Sequence, residues 1–240
     1  LLKRKNQIYF MHLLKAFKAV SVLAVFGLTA QPVEAAPPAV AAPPAVVAPP
    51  AVVVSIPPLH SLVAAVMEGA GKPALLSPGS SSPHRMMLRP STARHLAQAK
   101  LVFWVGPELE NFLETPLKRL SEKGGAKITA LLHAPGMFHR RARQLHSDTD
   151  GTPHNPDANH QFDPHFWLDP ENAIQVVAIV AEQLGNADPE RAAIYRQNRD
   201  RTIARLRALD QEMQEQLAPL ANIPYLVFHD SYAYLEGRYD

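Results

Sequence analysis

From residue 51 onward, short continuous apolar runs alternate with longer stretches whose apolar positions recur every three or four residues. The runs are Val52-Val53-Val54-Ser55-Ile56, Ala74-Leu75-Leu76, Leu101-Val102-Phe103-Trp104-Val105 and Lys127 to Leu131. Between them, Leu59 to Glu68, Pro90 to Ala99 and Glu108 to Ser121 carry helical spacing. Strand-helix alternation predicts a parallel sheet covered on both faces, and unbroken apolar strands agree with burial on both sides. Pro90-Ser91 and Gly106-Pro107 mark helix starts, because proline fits the first helical turn.

Downstream, Glu171 to Leu184 predicts a helix ended by Gly185-Asn186, and Asp188-Pro189 opens another that runs to about Leu217. At about 1.5 Å per residue this second helix is as long as a whole domain is wide. Ile203, Leu206, Leu209, Met213 and Leu217 keep one apolar stripe along it. Tyr225-Leu226-Val227-Phe228 then predicts a new buried strand, and the chain stops at Asp240. One strand and part of a helix cannot bury their own apolar faces, so a second lobe is begun and left incomplete, as in a C-terminally truncated chain.

Ahead of the sheet lie two segments of another kind. Residues 1–35 read as an export signal: Lys3, Arg4, Lys5, Lys15 and Lys18, an apolar run from Ala19 to Ala30, and Val33-Glu34-Ala35 as a cleavage site. The apolar run is shorter than the roughly 20 residues a membrane span needs, and the chain has no cysteine to carry a lipid. A soluble, exported protein is expected, working in the periplasm. Residues 36–50 repeat Ala-Pro-Pro-Ala-Val with little variation, which predicts an extended, semi-rigid linker. The domain reading is therefore signal 1–35, linker 36–50, an α/β lobe 51–169, inter-lobe helices 170–221, and the start of a second lobe at 222–240.

A net charge of +2, with 19% charged and 47% hydrophobic residues, is that of an ordinary globular protein and implies no nucleic-acid partner. Histidine changes the picture. The chain has eleven and no cysteine, and six of them fall between His133 and His165. Imidazole binds zinc, copper or nickel without thiolate chemistry. In open α/β sheets ligands sit beyond the carboxyl ends of strands, where His60, His84 and His229 stand, while His165 precedes a helix. Three neutral imidazoles with one open position suit tetrahedral zinc, and the same residues could equally cap helices or satisfy core hydrogen bonds. Residues 133–164 mix His133, His139, His146, His154 and His160 with Asp148, Asp150, Asp157 and Asp163. This His-rich loop reads as a mobile, weak zinc collector through His139, His146, His154 and His160, or as a solvated insertion. Asp230 either orients the imidazole of His229 or caps the next helix.

Three motifs are specific enough to carry a resemblance. Ser82-Pro83-His84-Arg85-Met86-Met87-Leu88-Arg89-Pro90-Ser91 with Ala99-Lys100-Leu101-Val102-Phe103-Trp104-Val105-Gly106-Pro107-Glu108-Leu109-Glu110, then His165-Phe166-Trp167-Leu168-Asp169-Pro170-Glu171, then Phe228-His229-Asp230-Ser231-Tyr232 occur in that order. Together they resemble the zinc-binding periplasmic component of bacterial ABC importers, the ZnuA-type family, over roughly Val52 to Asp240. The resemblance implies an α/β, two-lobed metal solute-binding protein fold, its parallel sheets joined by a long rigid helix. It implies Zn2+ as the transported ligand, held by His84 and His165 from the first lobe and His229 from the second. An inner-membrane ABC permease and its ATPase are the implied partners of a monomer, and no catalysis is implied. Family members continue for most of another lobe and commonly carry a cysteine pair there.

Two departures stand out. Some relatives have an acid directly before the first ligand histidine, where this chain has Pro83, so water or His60 is the candidate fourth ligand. Arg85 also stands where relatives often have an acid. Two other readings remain open: a periplasmic zinc chaperone or adhesin on the same scaffold, and a zinc hydrolase with Glu171 or Asp230 as general base. No His-Glu-x-x-His or Gly-x-Ser-x-Gly motif supports the hydrolase.

Overall fold

The computed structural model describes residues 48–76, 90–143, 161–221 and 223–239. The signal, nearly all of the linker, His84, and loop residues His146, His154 and His160 lie outside them.

Four strands form one parallel sheet in the order β2-β1-β3-β4: β1, Val52–Val54; β2, Ala74–Leu75; β3, Leu101–Trp104; β4, Lys127–Ala130. Register pairs Val53 with Ala74 and with Val102, and Val102 with Ile128. Side chains alternate between faces along each strand, and both faces are apolar. Val52, Val54, Leu101, Phe103 and Val105 share a core with α1 (Pro57–Val66), α4 (Pro170–Ala187) and Tyr195. Val53, Val102 and Trp104 share the other with Leu96 of α2 (Pro90–Gln98) and with Leu113 and Leu117 of α3 (Pro107–Glu122). The result is the expected α/β layering. The chain leaves β1 toward β2 on one side and returns to β3 on the other. The strand order reverses between β1 and β3, where such sheets open a crevice at their carboxyl ends.

Helix starts follow the expected chemistry. Proline occupies the first turn of α1, α3 and α4, and the Asp169 carboxylate accepts a hydrogen bond from Glu171 N at 2.9 Å to cap α4. α3 opens at Gly106, whose φ of +150° is a glycine conformation and whose missing Cβ would stand 2.7 Å from Glu108 Oε2.

Two expectations are corrected. α4 does not end at Gly185 but runs on to Ala187, because a glycine within a helix only weakens it and the ladder continues past it, Asp188 N still donating to the Leu184 carbonyl at 2.8 Å. Tyr225–Phe228 forms no strand: Leu226 is 100% exposed and Phe228 113%. A strand needs a neighbouring ladder to satisfy its backbone groups and a layer to cover its side chains. Neither is present beside these residues among those described.

The long helix α5 spans Ala192–Leu217, about 39 Å at 1.5 Å per residue. Its first half is anchored through buried Tyr195, Asn198 and Thr202, while Leu209 is exposed, so the apolar stripe docks only as far as Leu206. Asp188 holds the start of α5, accepting hydrogen bonds from Arg191 Nη1 at 2.9 Å and Tyr195 Oη at 2.8 Å. Asn198 Nδ2 donates to the carbonyls of Val66 and Glu68 at 2.9 and 2.8 Å, closing the end of α1 from another element. Asn198→Ala leaves two carbonyls without that donor and is expected to lower stability by about 2 kcal/mol, read from urea midpoints. An unchanged midpoint would mean that water replaces the amide without loss.

A last helix, α6, spans Ala233–Tyr239, with Tyr234 fully buried in the first core. Among the described residues no helix is long and apolar enough to cross a membrane.

Candidate metal centre

His165 lies in the segment that enters α4. The residue is buried, 5% exposed, and a 3-10 turn over Phe166–Leu168 links it to the Asp169 cap. Asp163 fixes it twice: Oδ1 accepts from His165 N at 2.8 Å and from the ring Nδ1 at 2.7 Å. With Nδ1 carrying the proton, Nε2 presents its lone pair. Trp167 meets the ring edge-on, with centroids 5.3 Å apart.

The atom facing this Nε2 is Nε2 of His229, 3.3 Å away, with ring centroids 5.1 Å apart at 72°. Two nitrogens each about 2.05 Å from one tetrahedral zinc ion stand about 3.3 Å apart. The separation seen here matches that value, and it is also within reach of a hydrogen bond between the two rings. Burial and the neighbouring His165 hold the pKa of His229 below its ordinary value, against the opposing pull of Asp163 and Asp230. A ring kept neutral is a ring ready to ligate.

The other sequence candidates fall elsewhere. His84 lies outside the described residues, and among the described residues no group of three metal-ligating side chains forms. His60, in the first turn of α1, donates from Nε2 to the Pro73 carbonyl at 3.1 Å. His139 donates from Nε2 to the Leu132 carbonyl at 2.6 Å and stacks on Phe162, with centroids 4.6 Å apart. His133 pairs with Glu108 at 2.7 Å, and His95 is exposed on α2. The described flanks of the His-rich loop are thus tied to the lobe. A bridge between Arg141 and Phe162 joins them. Asp230 stands 3.6 Å from Arg143 Nη1.

Asp163 is the residue that sequence reasoning placed only among the loop acids. Its spacing, two before His165, was the available signal: a carboxylate there can turn back on both the backbone N–H and the ring of residue i+2.

A second buried acid stands at the switch point. Glu110 is 1% exposed and leaves helical dihedrals within α3 (φ −128°, ψ 49°), which lets its Oε2 accept from Val105 N at 2.8 Å. Burial pushes its carboxyl up from 4.5 to about 7, tempered by Ser55 and by the amides of Val105 and Gly106. Ser55 Oγ is buried nearby but does not reach hydrogen-bond geometry, so the Val105 amide is the firmer contact.

A parallel α/β lobe with a long helix packed on it is the architecture of the metal-binding solute-binding proteins. It superposes on a crystal structure of ZnuA with a TM-score of 0.65 at 24% identity, covering 80% of this chain and 68% of that one. With the crystal structure of Zn(II)-bound AdcA from Streptococcus pneumoniae the TM-score is 0.66 at 20% identity, over 80% of this chain and 38% of the other. The family model described as zinc-uptake complex component A, periplasmic, matches residues 52–240, and the chain belongs to that family. It is 39% identical over 214 residues to the high-affinity zinc uptake system protein ZnuA of Brucella abortus (strain 2308), covering 78% of this chain and 64% of the relative. It is 34% identical over 211 residues to the protein of the same name from Paracoccus denitrificans, covering 77% and 62%. The chain thus spans somewhat under two thirds of the length of these relatives.

Proposed function

We propose that this protein captures Zn2+ in the periplasm and hands it to an inner-membrane ABC permease driven by its ATPase, acting as a monomeric binding component without catalysis. The observation that carries the reading is the 3.3 Å approach of His165 and His229 Nε2, with Asp163 setting the tautomer of His165. Membership of the zinc-uptake family supports it, as do relatives named for high-affinity zinc uptake. His84 supplies the third imidazole from the segment after β2. Water takes the fourth position, because the Nε2 of His60 is engaged by Pro73. The 144–160 segment, with His146, His154 and His160, gathers zinc weakly ahead of the site.

The test is a chelator-competition zinc titration of the protein beside a variant lacking residues 144–160. One tight site that survives the deletion supports capture at the histidine pair. Weak binding that vanishes with the loop would overturn it. Each ligand imidazole must lose its proton, so affinity is expected to fall as pH drops through about 6.5, with His229 protonating later than an ordinary histidine. Binding that stayed flat from about pH 5 to 8 would rule out imidazole ligation.

A further inference from the structure

The segment that carries His229 is held by side chains and not by a ladder: Tyr225 Oη donates to Glu236, and Asp230 stands 3.6 Å from Arg143 Nη1. Residues 223–228 are exposed, no ladder joins them, and the backbone has no regular structure until α6 begins at Ala233, four residues past His229. Through Glu236 and the chain itself, the place of His229 depends in part on how α6 is seated.

α6 is held in its middle by Arg143, which pairs with Glu236, and by Arg140, which donates to the Gly237 carbonyl, and its two ends are seated by different means. Near its start, Tyr234 is fully buried in the core, and its Oη accepts from Arg140 N at 3.1 Å. At its far end, Arg238 makes a two-pronged contact with Asp210 of α5, Nε to Oδ1 at 2.6 Å and Nη2 to Oδ2 at 2.5 Å, and Tyr239 Oη donates to the same carboxylate at 2.9 Å. The remaining nitrogen, Nη1, stands 3.2 Å from Asp169 Oδ1. Asp169 is the cap of α4, and its carboxylate lies one 3-10 turn beyond His165. One guanidinium thus touches the element that follows one ligand and the cap that follows the other, while Asp210 ties both to α5. Only arginine offers this fork in fixed geometry. Asp210 responds as a fully engaged partner: chiefly through Arg238, its carboxyl is held below the usual carboxylate range.

We propose that Arg238 is a positioning residue for the metal centre, clamping α6 to Asp210 and to the Asp169 cap so that His229 meets His165 at ligand distance. This rests on the zinc reading above. It differs from the role of Asp163, which orients one ring, because Arg238 sets the separation between the two.

The experiment compares the wild-type protein with Arg238→Ala, Arg238→Lys, Asp210→Asn and the Arg238→Ala/Asp210→Asn pair. Zinc affinity and release rate are read by chelator competition, and site geometry by the visible spectrum of the cobalt(II)-loaded protein. Arg238→Ala is expected to weaken zinc binding roughly ten- to hundredfold, as loss of an outer support does, mainly through faster release, and to dim the tetrahedral cobalt bands. Arg238→Lys keeps the charge without the fork and falls between. The double variant is expected to fall short of the sum of the two single effects, since both substitutions remove the shared Arg238–Asp210 contact. If Arg238→Ala does not fold, the Lys and Asn variants carry the same comparison.

Wild-type affinity and an unchanged cobalt spectrum in the folded variants would overturn the clamp while leaving the zinc site standing. A wild-type protein without a tight site would overturn both. Weaker binding in which the two substitutions add independently would also overturn it, by showing general loosening in place of a shared contact.

Discussion

His165→Ala is expected to weaken zinc binding by about a thousandfold. Tight zinc sites of three or four ligands carry apparent binding energies of about 10–16 kcal/mol, so losing one ligand removes about 4 kcal/mol. Nothing described stands ready to replace it: His60 and His139 donate their Nε2 protons to backbone carbonyls, and His133 is paired with Glu108. Asp163→Asn tests the layer behind. Asparagine can still accept from His165 N through its oxygen, but it lacks the charge that holds the proton on Nδ1. Affinity is expected to drop ten- to hundredfold, less than for loss of the ligand. Chelator competition reads both, and circular dichroism confirms the fold. Equal effects from the two substitutions would mean that Asp163 is needed to build the segment, not merely to orient the ring.

Glu110→Gln is expected to change how stability depends on pH. In the folded protein the carboxyl titrates at about 7, against 4.5 when unrestrained. Between those values the folded state holds a proton that the unfolded state has released. Stability is therefore fully present below 4.5 and is lost as pH rises toward 7. The gap corresponds to about 3 kcal/mol. Glutamine keeps an acceptor for Val105 N and has no proton to lose, so the variant is expected to be flatter across this range and more stable than the parent at pH 7.5. His229, with its lowered pKa, contributes the opposite slope, since its folded form resists protonation as pH falls below 6.5. That contribution is common to both proteins and cancels in the difference. Urea midpoints measured from pH 4.5 to 7.5 decide the matter, and parallel curves would place the Glu110 titration elsewhere.

Much of the lobe was legible because its local signals agreed with one another. Val52–Val54, Leu101–Trp104 and Lys127–Ala130 lie within the runs predicted from apolar patterning, and proline marked the starts of α2 and α3. Two local rules failed. Gly185 looks like a helix stop, yet the ladder runs past it, with Asp188 N still bonded to the Leu184 carbonyl. Tyr225–Phe228 has every strand propensity, but propensity is a preference for a pleated, half-buried surface that these residues do not find. The site shows the same division. Histidine type and order marked His165 and His229, whereas the role of Asp163 depended on a backbone turn and that of Arg238 on the meeting of three helices.

The sequence by itself determined the α/β class, the order of elements from β1 to α5, the candidate ligands and the resemblance to zinc-uptake proteins. Each of these is written in residue type and short-range spacing, where periodicity and turn chemistry act. Only the tertiary structure decided that His165 and His229, 64 residues apart, bring their Nε2 atoms to 3.3 Å. It alone placed Glu110 where its charge is costly and gave His60 to a backbone carbonyl. The reason is physical: ligand distance, desolvation and hydrogen-bond partnership are properties of groups brought together across the fold, and no spacing along the chain encodes them.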